Sequence, residues 1–207
     1  MAGFTAIAAV GKSLERLLSQ AFLDRPPVPS KPLAKAVLIR TEDLGPDGLP
    51  NLIGDTGLTI LLYRVDYNKT VRAAWAQRAE EDGRGRLALD LHYLLTPWAG
   101  NAEHQHMIIG RAMQVIERVG TLSGPLLFEP ALPATPTYAD EPRASDIDSV
   151  QVLLEEITTE ALMRTFDSLP GDFHLSVPYV ARVVRIDTLP EPINPPVITA
   201  DFEMRAG

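Results

Sequence analysis

Asp90 and His92 come nearest to a chemistry in this chain. They stand two apart in RLALDLHYLLT, residues 86–96. In an extended segment, residues i and i+2 share a face, and a carboxylate beside an imidazole can serve as an acid–base pair. No nucleophile or third orienting residue accompanies them, so the residues read as a polar contact under a helix or at a subunit interface. His104 and His106 are also two apart, but in a stretch of helical periodicity. That spacing sends them to roughly opposite sides, whereas an i, i+4 pair is what shares one metal. Asp146-Ile147-Asp148 begins like a calcium loop, yet Gln151 and Ile157 stand where the loop needs Gly and Glu. Glu155-Glu156, at the end of an extended stretch, point to opposite faces and make no carboxylate pair. There is no GxGxxG, GxxxxGK[ST], GxSxG or HExxH. Without cysteine, disulfides, thiolate metal sites and cysteine nucleophiles fall away together. The expectation is no enzyme, no cofactor and no metal.

The elements that must hold these residues are legible from period. In 86–96, Leu87, Leu89, Leu91, Tyr93 and Leu95 alternate with Ala88, Asp90, His92, Leu94 and Thr96, which predicts a long strand with one face on a core. Gly57–Tyr67 predicts a second long strand. Leu58, Ile60 and Leu62 take one face; Leu61, Tyr63, Val65 and Tyr67 take the other, which suggests a central strand covered on both sides, or one covered by a partner subunit. The two strands make a long hairpin with a solvated tip. Helices are predicted from Phe4 to about Phe22, stopped by Arg25-Pro26-Pro27, and from Ala102 to Val119, closed by Gly120. Ile108, Ile109, Ala112, Met113, Ile116 and Val119 form the stripe of the second. Shorter strands are expected at Lys35–Arg40 and Ser149–Ile157, with turn chemistry over 45–54. Thr158 or Thr159 caps a short helix carrying Leu162, Met163, Phe166 and Leu169. His174–Asp187 is the last long strand, with Leu175, Val177, Tyr179, Ala181 and Val183 on one face. Pro178 within it points to an edge or a bulge. Residues 123–149 are proline-rich and irregular, the mark of a functional loop or an arm reaching a partner.

The 207 residues suit one domain, 1–188, with an extended arm over 189–207. At 45% hydrophobic and 22% charged, the chain can bury a sizeable core. A net charge of −8 with no basic patch argues against nucleic acid. No apolar run is long enough to span a membrane. The first residues lack a signal peptide's basic start, so cytoplasmic assembly is expected. The fold class is α/β in the α+β sense: a mixed or antiparallel sheet of about four or five strands with helices packed on it.

Three segments in order, GLTILLYRVDYNKTVRAAW, RLALDLHYLLTPWAGNAEHQHMIIGRAMQVIERV and FHLSVPYVARVVRID, resemble the N-terminal domain of the tail-terminator (cap) proteins of extracellular contractile injection systems, of the antifeeding-prophage and Photorhabdus virulence cassette kind. LDLHYLLT with the helix after it is the most specific part. The resemblance implies a phage tail-terminator-like domain. It implies a homo-oligomer, a hexameric ring, that ends the inner tube and anchors the sheath, with inner tube and sheath proteins as partners. Another tail-completion or baseplate-type component is the alternative within that class; a small-molecule enzyme using Asp90 and His92 is the alternative outside it. A ring that closes head to tail needs two unlike patches on each subunit. Leu61, Tyr63 and Val65 on the two-sided strand, and Val197, Ile198 and Phe202 on the tail, are the candidate contacts.

Overall fold

The computed structural model describes residues 3–29, 32–44, 49–72, 74–75, 85–133, 143, 149–170 and 173–187. In chain order the elements are α1 (Ala6–Asp24), β1 (Lys35–Ile39), α2 (Leu49–Ile53), β2 (Gly57–Tyr67), β3 (Arg86–Trp98), α3 (Ala102–Val119), β4 (Thr121–Leu122), β5 (Val150–Leu154), α4 (Thr159–Asp167) and β6 (Val177–Asp187). The strands form one six-stranded sheet in the order β1-β2-β3-β6-β5-β4. It is mixed: β1 runs parallel to β2, and every other pair is antiparallel. The strand beyond the expected four or five is β4, whose two residues are too few to show a period.

Local chemistry places the helices where periodicity predicts them. α1 ends as Arg25 turns extended (φ −145°, ψ 93°), the conformation a following proline imposes. α3 begins where the Asn101 side chain accepts the His104 N–H at 2.8 Å, and ends at Gly120 with φ 64°. The Thr158 hydroxyl caps α4. Two stretches expected as loop carry structure. Residues 45–54 contain α2, and the start of the proline-rich stretch, directly after β4, forms a 3₁₀ turn at Gly124–Leu126.

α1 and α3 cover one face of the sheet. Val10, Leu14, Leu18 and Phe22 of α1 join Ile108, Ala112, Val115 and Ile116 of α3 over Leu58, Ile60, Leu91, Tyr93 and Leu95. Burying each large side chain contributes about 1.5–3 kcal/mol. The parallel β1–β2 pair requires a crossover, and α2 supplies it on the opposite face. There Leu49 and Ile53 meet Ile39, Leu61 and Leu94 in a smaller cluster, closed by Leu162 and Phe166 of α4 and by Leu169.

Two bulges change which residues share a face. In β2 the register against β3 shifts between Leu62 and Arg64, so Val65 stands opposite Leu91 and Tyr67 opposite Leu89. Val65 and Tyr67 therefore lie on the α1/α3 side, and the expected face of Leu61, Tyr63, Val65 and Tyr67 divides. In β6 the shift places Val184, not Val183, opposite the core residue Leu89. A bulge inserts one residue and reverses the alternation beyond it. Leu87, expected in the core, is 46% exposed. Pro178 lies neither on an edge strand nor at the bulge. Its carbonyl accepts the Glu155 N–H at 3.0 Å, so its missing donor faces the side where β5 has just ended.

The β1 edge is closed by α1. The Ser19 hydroxyl donates to the Ala36 carbonyl and accepts the Ala36 N–H, and the Leu38 N–H donates to Glu15. These side chains occupy backbone groups that would otherwise template another strand.

Two predictions follow from this packing. A Cβ at Gly57 would lie 2.9 Å from the Lys35 carbonyl oxygen and 3.1 Å from the Ile53 Cβ. Gly57→Ala should cost about 1–3 kcal/mol in urea unfolding, whereas Gly100→Ala, with nothing within 4 Å, should cost far less. The Tyr93 hydroxyl is buried without a hydrogen-bond partner among the described residues. Tyr93→Phe should leave stability unchanged or raise it by about 1–3 kcal/mol; a clear loss would show that the hydroxyl is paired.

Candidate functional site

The β2 bulge sets up the densest polar cluster on the sheet. It brings Arg64 opposite His92 and Asp66 opposite Asp90, on the face away from α1 and α3. Glu155, one residue past β5, reaches the same place. His92 is 5% exposed. Its Nδ1 is 2.8 Å from Glu155 Oε1 and its Nε2 3.4 Å from Asp66 Oδ2. Arg64 bridges both acids, at 3.0 Å to Glu155 and 2.9 Å to Asp66. The Tyr63 hydroxyl donates to the other Glu155 oxygen at 2.9 Å.

Asp90 and His92 share a face, as their spacing predicts, but they do not work together. The Asp90 carboxylate accepts from Asn68 Nδ2 at 3.0 Å, while both ring nitrogens of His92 face other carboxylates. The Arg64 guanidinium also lies 3.0 Å from His92 Nδ1 and 3.3 Å from Nε2, so the ring is engaged by groups other than Asp90. The cluster instead ties the end of β5 to β2 and β3 across the intervening β6. A groove of about 470 Å³ opens beside it, lined by Asp66, Asn68, Lys69, Asp90, His92 and Arg182 among others. Among the described residues no group of three or more His, Asp or Glu is arranged to hold a metal. Asp146 and Asp148 lie outside the described residues.

Glu155 was invisible in the sequence as a member of this cluster. Its partners are 63, 91 and 92 residues away along the chain, and only strand order brings them together. The candidate contacts separate by burial. Leu61 is 4% exposed and packed in the smaller core cluster, Tyr63 is held by Glu155, and Val65 stands 43% exposed. Tyr67 and Leu87, 49% and 46% exposed on the same face as Val65, extend that apolar surface. Val197, Ile198 and Phe202 lie outside the described residues. His104 and His106 sit in the first turns of α3, His106 exposed.

Removing the Glu155 carboxylate leaves the Tyr63 hydroxyl and His92 Nδ1 without that acceptor. Glu155→Ala should therefore cost about 1–3 kcal/mol in chemical unfolding. Burial, reinforced by hydrogen bonding to Glu155, pushes the Tyr63 phenol well above its ordinary value. Burial and the nearby Glu117 push Tyr179 up to about 12. Because folding favours the protonated phenols, their contribution is complete below the ordinary tyrosine value, about pH 10. It is lost as pH rises from there through the raised folded values. The urea midpoint should fall steadily above about pH 10, and Tyr63→Phe should flatten that fall.

A family model for the Pvc16 N-terminal domain matches residues 9–200. No curated protein matches the chain. Among solved structures, the chain is similar to the sheath/tube terminator of PVC, an extracellular contractile injection system, determined by cryo-EM in the extended state. The TM-score is 0.52 at 16% identity, covering 97% of this chain and 64% of that one. At that identity the likeness concerns the fold, and the chain spans less than two thirds of the terminator's length. With the model spanning residues 9–200 on this six-stranded mixed sheet, the chain belongs to the Pvc16 N-terminal domain family.

Proposed function

We propose that this chain is a structural terminator subunit of a contractile injection system. Copies of it close into a ring of about six that ends the inner tube and anchors the sheath. The observation that carries the reading is family membership over residues 9–200. A fold similar to a PVC sheath/tube terminator over 97% of the chain supports it. Assembly in the cytoplasm before incorporation into the particle belongs to the same proposal. The role is one of docking and not of catalysis, in keeping with a buried His92 whose two nitrogens face carboxylates.

The ring requires unlike patches on each subunit. Val65, Tyr67 and Leu87 offer one, an apolar strip on the outer part of the β2–β3 pair. Val197, Ile198 and Phe202 on the C-terminal arm are proposed as a separate contact, away from that strip, with a neighbouring copy. Leu61 and Tyr63 support the sheet from within and leave Val65 as the member of that trio open to a neighbour.

Light scattering on a sizing column, with negative-stain imaging of the peak, tests the ring. The expected mass is about six monomers, visible as annular particles. Incubation with purified inner tube tests termination: tubes should stop elongating and carry the ring at one end. A monomeric protein that also fails to bind or stop tubes would overturn the proposal. Val65→Asp with Tyr67→Asp should shift the ring towards monomer while leaving the unfolding midpoint within about 0.5 kcal/mol.

A further inference from the structure

The two edges of the sheet are treated differently. β1 is closed by Ser19 and Glu15 of α1. At the other edge, β4 pairs only with Val150 and Gln151 of β5. The Val152 N–H still reaches the Gly120 carbonyl at 2.9 Å. From there to the end of β5 no described strand continues the edge. The Val152 N–H points outward, so by period two the Leu154 N–H and carbonyl point outward as well. Leu153 and Leu154 are 42% and 55% exposed. An open edge carrying exposed leucines is a template for a further strand.

The chain has one segment outside the described residues whose pattern fits that template. In Val197–Met204, VITADFEM, apolar Ile198, Ala200, Phe202 and Met204 alternate with Val197, Thr199, Asp201 and Glu203. That is a strand pattern with one apolar face. Between it and Asp187, the end of β6, lie residues 188–196 with prolines at 190, 192, 195 and 196. Such a spacer is semi-rigid and extends about 3.1 Å per residue, roughly 28 Å in all.

We infer that residues 197–204 of one copy add a strand to the open β5 edge of a second copy. The length of the linker favours a second copy. β6 runs antiparallel to β5, with Tyr179 beside Leu154, so its end at Asp187 lies roughly 26 Å along the sheet from the open edge. To seat residue 198 beside Leu154 of its own chain, the spacer would have to reverse at once, cover that distance and also cross β5, which takes its whole reach. The edge of a neighbouring copy asks for no such reversal. Ile198, Ala200 and Phe202 would then continue the apolar face beside Leu154, and main-chain hydrogen bonds would supply the attachment. The inference rests on the proposal that this chain assembles with copies of itself, and it names the contact.

The chain has no native cysteine, so single introduced thiols report the contact in full-length protein. Chains carrying Leu154→Cys are mixed with chains carrying cysteine at one of positions 198 to 202 and oxidised. The expected result is an intermolecular disulfide that peaks at one of 198, 200 and 202. Yield at 199 and 201 should be about a tenth of that or less, because neighbouring strand residues point to opposite faces. Leu87→Cys in place of Leu154→Cys should give none. Equal yields along 198–202, no cross-link, or a disulfide only within one chain of the Leu154→Cys/Ala200→Cys double variant would overturn the inference. Light scattering on the same samples separates the two levels. A ring without the cross-link removes this contact and keeps the ring; a monomer without it removes both.

Discussion

β3 is paired along both edges and buried on both faces, and the rest of the molecule is arranged around that constraint. β2 and β6 flank it, so its backbone hydrogen bonding is satisfied within the sheet. Leu91, Tyr93 and Leu95 face α1 and α3, while Leu94 faces the smaller cluster under α2 and α4. A strand in this position must supply apolar side chains to both sides, and a polar one only where partners await it. His92 and Thr96 are those exceptions, His92 beside Glu155 and Asp66 and Thr96 bonded to the Ser176 hydroxyl.

The second face is thinly covered. Two short helices and a few apolar side chains meet there, and the charge cluster spans the ground between β2 and the end of β5. Such a cluster is costly to desolvate, and its net contribution to stability is smaller than the number of bonds suggests. What it provides is geometry. Glu155 accepts from Tyr63 and Arg64 on β2 and faces His92 on β3. The residues leading into α4 are thereby fixed against the sheet, and α4 can lay Leu162 and Phe166 on the smaller core.

The difference between the two edges bears directly on assembly. A closed β1 edge limits indiscriminate pairing, while among the described residues no strand covers the end of β5. With the exposed strip of Val65, Tyr67 and Leu87 on the outer part of the hairpin, the described surface differs from one side of the sheet to the other. The proposed ring, closing head to tail, requires that kind of asymmetry.

By itself the sequence determined the elements. Period and punctuation located α1, α3, β2, β3 and β6, because each buries a face whose repeat is long enough to read. Asn101, Gly120, Thr158 and Pro26 marked ends through local backbone chemistry alone. The order of segments also carried the family resemblance. Tertiary structure decided the faces and the site. A single inserted residue in β2 and another in β6 reversed the alternation, moving Val65, Tyr67 and Val184 to sides that strict period two does not assign. The pairing of His92 with Glu155, and of Asp90 with Asn68, depended on strands far apart in sequence becoming neighbours. Period is a property of a few adjacent residues and survives in the sequence. Bulge position and cross-sheet charge pairing arise only when strands choose partners, and that choice is made by the whole core at once.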